Sequence, residues 1–126
     1  MGVLQELGFH RDDEARGMLI EPPDHVLAEA GAIKPRPTVA SSLMTAEPAV
    51  RIAWWPERDR LDQASISRLH WMVSAAQGEA WLVFDPEDED SFTGDELRQA
   101  IQQSNFAPQQ ELQLSTGERA LHVTAT

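Results

Sequence analysis

Between residues 49 and 84 the chain alternates between two hydrophobic spacings. Ala49-Val50-Arg51-Ile52-Ala53-Trp54-Trp55 is short, β-branched and aromatic, is closed by Pro56, and predicts a buried strand. From Leu61 to Gln77 the apolar residues Ile66, Leu69, Met72, Val73 and Ala76 recur at steps of three and four. That spacing sets them on one stripe of a helix. Gly78 is expected to stop the helix, as a glycine past the C-cap does without steric penalty. Ala80-Trp81-Leu82-Val83-Phe84 follows and is nearly all apolar, as a strand covered on both faces requires.

The next segment, Asp85-Pro86-Glu87-Asp88-Glu89-Asp90, reads as an acidic loop. Thr93 and Glu96 then fit a capping box, and Phe92 and Leu97 sit where a hydrophobic staple closes a helix start. This helix is expected to run to about Ser104 with Leu97, Ala100 and Ile101 inward, and Asn105 suits the left-handed turn that ends it. Leu112 and Leu114, the turn Thr116-Gly117, and then Leu121, Val123 and Ala125 describe a closing hairpin. Upstream, Val3 to Leu7 reads as a short helix or arm, and Arg11 to Arg16 as a polar loop. Met18-Leu19-Ile20 is a minimal strand. Pro22 and Pro23 open a short helix over Asp24 to Ala30 that Gly31 ends. Lys34-Pro35-Arg36-Pro37 reads as a stiff connector, and Thr38 to Leu43 as a further strand. Strand and helix thus alternate before the hairpin. In a chain of 126 residues this predicts one α/β domain: a Rossmann-like, mostly parallel sheet with helices on its faces.

The part after residue 48 resembles the C-terminal half of a class I methyltransferase fold. Gln77-Gly78-Glu79-Ala80-Trp81-Leu82-Val83 stands at the turn before a hydrophobic strand, and Ser104-Asn105-Phe106 at the Gly-Phe landmark that precedes the hairpin. The whole chain also resembles a family of small bacterial proteins known as domain of unknown function 3052. Leu7-Gly8-Phe9, Met18 to Asp24, Val50 to Trp55 and Gly78 to Val83 carry that likeness, whereas Thr116-Gly117-Glu118-Arg119 replaces a hairpin tryptophan. The resemblance implies a reduced methyltransferase-like sheet without an assigned activity.

Enzymes of that kind need a glycine-rich turn after the first strand, so that backbone and cofactor approach closely. Here the turn is Glu21-Pro22-Pro23-Asp24-His25, with no glycine and two prolines that lack an N–H. No cofactor is therefore expected, and no catalytic constellation is visible. His25 beside Asp24 is the best-placed histidine for proton transfer or ligation. No Ser, Cys or second His stands at a diagnostic spacing from it. His10, His70 and His122 are spread over other elements, and His70 and His122 read as structural or solvent-facing. Five carboxylates lie between Asp85 and Asp90, but without the spacing of a calcium loop, so no metal is assigned. If the sheet is wound as expected, Glu21, Asp24, His25, Trp55, Glu57 and Asp85 border a crevice at the strand ends.

Charge and composition narrow the partners. With 21 acidic against 10 basic residues the formal charge is −11, which repels nucleic-acid phosphates and anionic membranes. Cysteine is absent, which excludes disulfides and thiolate chemistry. Neither a secretory signal nor a membrane-spanning stretch is visible, so a cytoplasmic location is expected. Trp54 and Trp55, adjacent in a strand, are expected to point to opposite faces. Trp55 near the strand end and Trp71 beside the helical stripe are the candidate anchors for a protein partner or a second copy. These features favour a non-catalytic interaction or regulatory module. The alternative is a small-molecule binder or divergent methyltransferase-like enzyme using the crevice.

Overall fold

Alternation along the central strands sorts their side chains onto two faces of a sheet. The computed structural model describes residues 3–7, 17–32, 37–42, 45–55, 63–85 and 94–125. Its strands are β1 (Gly17–Ile20), β2 (Thr38–Ala40), β3 (Arg51–Trp54), β4 (Glu79–Phe84), β5 (Phe106–Gln113) and β6 (Arg119–Ala125). They form one sheet in the order β2-β1-β3-β4-β6-β5. The first four run parallel, while β6 is antiparallel to both β4 and β5. Helices α1 (Val3–Glu6), α2 (Asp24–Ala30), α3 (Gln63–Ala76) and α4 (Gly94–Gln102) lie between or before them.

The two faces carry two cores. Ile52, Trp54, Ala80, Leu82 and Phe84 pack with Ile66, Leu69, Met72 and Val73 of α3 and with Leu97 and Ile101 of α4. The alternate residues Ala53, Trp55, Trp81 and Val83 pack with Leu4 and Leu7 and with Val26 and Ala30 of α2. The period of two in the strands and the three-to-four step in α3 therefore meet as expected. Trp54 and Trp55 do point to opposite faces.

Two local expectations change. Trp55 is not an exposed anchor: it is 8% exposed, because Leu4, Leu7 and α2 cover its face of the sheet. Although β3 ends at Trp54, the Trp55 N–H still donates to the Ile20 carbonyl at 3.1 Å, which holds it in the sheet. The left-handed residue closing α3 is Gln77, with φ 52°, rather than Gly78. Gly78 N–H donates to Val73 O and Gln77 N–H to Ser74 O, the paired bonds of a Schellman motif. Gly78 is needed for a different reason, its close approach to Val50.

The C-terminal hairpin follows the expected turn, with Gly117 at φ 95°. Its first strand is longer than expected and begins at Phe106, directly after Asn105 at φ 63°. Its register shifts between Pro108 and Gln110. A proline without an N–H is accommodated at such an irregularity on an edge strand. The expected cap at Thr93, the loop 86–90, the polar loop 11–16, most of the connector at 34–37 and Glu57 lie outside the described residues.

Candidate functional site

The parallel register brings the ends of β1, β3 and β4 to one edge of the sheet. Ile20 is level with Ala40 and Trp54, and Trp54 with Leu82. Glu21 and Trp55 come directly after these positions and Asp85 comes after Phe84, the last residue of β4, so three of the expected crevice residues lie toward that edge. Glu21 turns the chain with φ 55°, an uncommon conformation for a residue with a side chain. Its N–H donates to the Ala40 carbonyl at 3.0 Å. Pro22 and Pro23 have none, and Pro23 caps α2 in extended geometry without a side-chain hydrogen bond. From Glu21 to Pro23 the one backbone donor is thus used within the sheet.

Asp24 and His25 are exposed in the first turn of α2. His25 does not turn toward Asp85. Its Nε2 lies 3.6 Å from Glu118 Oε1, in the hairpin turn. Glu118 in turn accepts a hydrogen bond from the Thr116 hydroxyl at 3.0 Å. Beside it, both carboxylate oxygens of Glu6 accept from the Ser115 N–H, at 3.1 and 3.3 Å. The two N-terminal helices are thus tied to the last turn of the chain.

Trp71, by contrast, stands where the sequence placed it. It is 52% exposed on α3, with the Arg68 guanidinium 5.2 Å from its ring centre. Arg68 also donates to the Ala46 carbonyl at 3.1 Å. Exposed Ala64, Ser67, Ser74 and Ala75 surround Trp71 along the helix. No Asp or Glu occurs anywhere in α3, although the chain carries 21 of them.

A second constellation was not foreseen. A cleft of about 350 Å³ opens on the sheet face beside α1, near the starts of β3 and β4. Glu79 lies within it. Its Oε1 accepts from Arg51 Nε at 3.2 Å, and its Oε2 lies 2.9 Å from His122 Nε2. A carboxylate only accepts, so Nε2 carries a proton, and in the neutral form of the ring Nδ1 holds the lone pair. The imidazole is tilted by 31° over Trp81, with ring centres 4.7 Å apart. Leu7 and Leu112 supply apolar wall, and Glu6 and Gln110 complete the lining. Arg51 and Glu79 are 28 residues apart, and Glu79 and His122 are 43 apart. Strand register alone unites them, a signal visible only once β3, β4 and β6 are aligned.

Among the described residues no group of three or more His, Cys, Asp or Glu is arranged to hold a metal ion. No helix there is long and apolar enough to cross a membrane.

The strand order, the parallel core and the antiparallel C-terminal pair are those of the class I methyltransferase fold. The pyocyanin biosynthetic protein PhzM superposes with a TM-score of 0.59 at 12% identity, over 97% of this chain and 55% of its own. The O-methyltransferase NcsB1 from neocarzinostatin biosynthesis gives 0.61 at 12% identity, over 88% of this chain and 49% of its own. Magnesium protoporphyrin IX methyltransferase from Synechocystis PCC 6803 gives 0.52 at 12% identity, over 86% and 59%. The chain spans about half the length of these structures. No family model and no curated protein matches it.

Proposed function

We propose that this chain is a non-catalytic protein-binding or regulatory module on a reduced methyltransferase-like sheet, a reading that accords with the resemblance to domain of unknown function 3052. The observation that carries it is the turn after β1. A nucleoside-type cofactor is held in such folds by backbone that approaches closely and offers N–H groups. At Glu21 the N–H is spent on Ala40, and at Pro22 and Pro23 there is none. The residues at this turn do not fit an S-adenosyl cofactor, and no methyl-transfer step is assigned to them.

The surface that supports partner binding is the outer side of α3. Tryptophan is enriched among residues that dominate interfaces, and a large exposed aromatic favours burial by another surface. On a chain of −11, an acid-free helix is also where a protein partner meets least like-charge repulsion.

Two measurements test the reading. Thermal unfolding with S-adenosylmethionine and S-adenosylhomocysteine should show no shift. A ligand at 100 times its dissociation constant would stabilise by about 2.7 kcal/mol, and a shift of that size would favour a divergent methyltransferase-like enzyme instead. Affinity capture from the native cell should recover a partner that Trp71→Ala loses. Recovery of the same proteins by both forms would count against the α3 surface.

A further inference from the structure

We propose that the cleft over Trp81 is a binding site for a small neutral aromatic alcohol, whose hydroxyl donates to Nδ1 of His122. This goes beyond the module reading and does not depend on it. The cleft lies near the starts of β3 and β4, away from the turn at Glu21, and on the face opposite α3.

The ligand class follows from what the lining has left to offer. Both oxygens of Glu79 are engaged, one by Arg51 and one by His122. Both oxygens of Glu6 are engaged by Ser115. A cation therefore finds both carboxylates already hydrogen-bonded. An anion would sit beside two carboxylates on a chain of net charge −11, with Arg51 already facing Glu79. A neutral molecule meets neither obstacle. The Glu79 carboxylate fixes the His122 ring by its Nε2–H, as an orienting carboxylate does for an imidazole base. In the neutral ring the nitrogen that remains is an acceptor, which asks for a donating hydroxyl. Leu7 and Leu112 offer apolar wall, and the stacked Trp81–His122 pair offers aromatic surface. At about 350 Å³ the cleft is near the lower end of the range for small-molecule pockets, which suits a single substituted ring.

Nitrogen-15 spectra of the histidine rings and methyl spectra of the leucines, recorded on the full chain, test the assignment. The probes are phenol, anisole, which cannot donate a hydrogen bond, and benzoate, which is anionic. Phenol should move the His122 Nδ1 resonance and the Leu7 and Leu112 methyls along one saturating curve. Anisole should bind at least tenfold more weakly, and benzoate should leave these signals in place. His122→Phe keeps a ring over Trp81 but removes Nδ1, so phenol and anisole should then bind alike. The wild-type comparison of the three probes decides the matter without any variant. An unmoved His122 resonance, equal affinity for phenol and anisole, or shifts confined to the strand ends near Glu21 would overturn the proposal.

Discussion

Gly78 and Val50 meet main chain to main chain: a β-carbon built on Gly78 would lie 2.1 Å from the Val50 carbonyl oxygen. That oxygen also accepts the Glu79 N–H at 2.8 Å, so it is held in place by the pairing that starts β4. Gly78→Ala forces β3 and β4 apart where the sheet begins. The expected cost is roughly 3 kcal/mol, in the range of severe overpacking. Urea unfolding should show a lower midpoint with an unchanged slope. A loss below about 1 kcal/mol would mean that the strands have room to give.

The neighbouring residue has the opposite expectation. Gln77 is exposed and holds φ 52°, a left-handed conformation that costs an L-residue roughly 1–2 kcal/mol. Glycine removes that cost but loses more chain entropy on folding, roughly 0.5–1 kcal/mol. Gln77→Gly should therefore raise stability by about 0.5–1 kcal/mol in the same assay. Asparagine tolerates this conformation better, so Asn105→Gly should gain less.

These two positions also indicate which parts of the fold were legible. A glycine was read as the helix stop, and the stop is there, but the residue beside it adopts the special backbone. Periodicity located β3, α3 and β4 because each is covered enough for its pattern to be unbroken: Ile66, Leu69, Met72 and Val73 are all buried. The same logic left Trp71 off the stripe, and it is exposed. It failed at Trp55, whose cover comes from residues 4 to 30 and lies nowhere near it in sequence. Glu21, Trp55 and Asp85 were grouped from the sequence because parallel strands end on one edge. Arg51, Glu79 and His122 were not, because histidine on an alternating strand carries no mark of what register will set beside it.

The two tryptophans separate folding from binding. Trp55 packs with Leu19, Val26 and Ala53 in the second core. Trp55→Ala should cost about 3–5 kcal/mol, the range for truncating a buried large aromatic. Trp71→Ala removes an exposed ring and its contact with Arg68, and should change stability by no more than about 0.5 kcal/mol. If partner capture is lost in Trp71→Ala while its melting temperature is kept, the ring acts at the surface. Equal destabilisation by both substitutions would mean that α3 uses Trp71 for packing.

Glu6 makes a contact of long sequence reach, since Ser115 lies 109 residues away. Its carboxylate takes the Ser115 N–H and also the Ser115 hydroxyl, at 3.2 Å. Hydrogen bonds to a charged acceptor are stronger than neutral ones, but this site is partly open to water, which screens the gain. Leu4 and Leu7, both buried, hold α1 against the sheet without it. Glu6→Ala should thus cost only about 0.5–1 kcal/mol globally. Its local effect should be larger, because the amide of Ser115 loses the acceptor that closes the turn. Amide exchange at Ser115 should quicken about fivefold to tenfold, since a factor of ten corresponds to about 1.4 kcal/mol. Glu6→Gln keeps a carbonyl acceptor and should fall between the two forms. Exchange at Ser115 that is unchanged in Glu6→Ala would show that the turn closes on its own bonds, Leu114 N–H to Glu118 O and Gly117 N–H to Leu114 O.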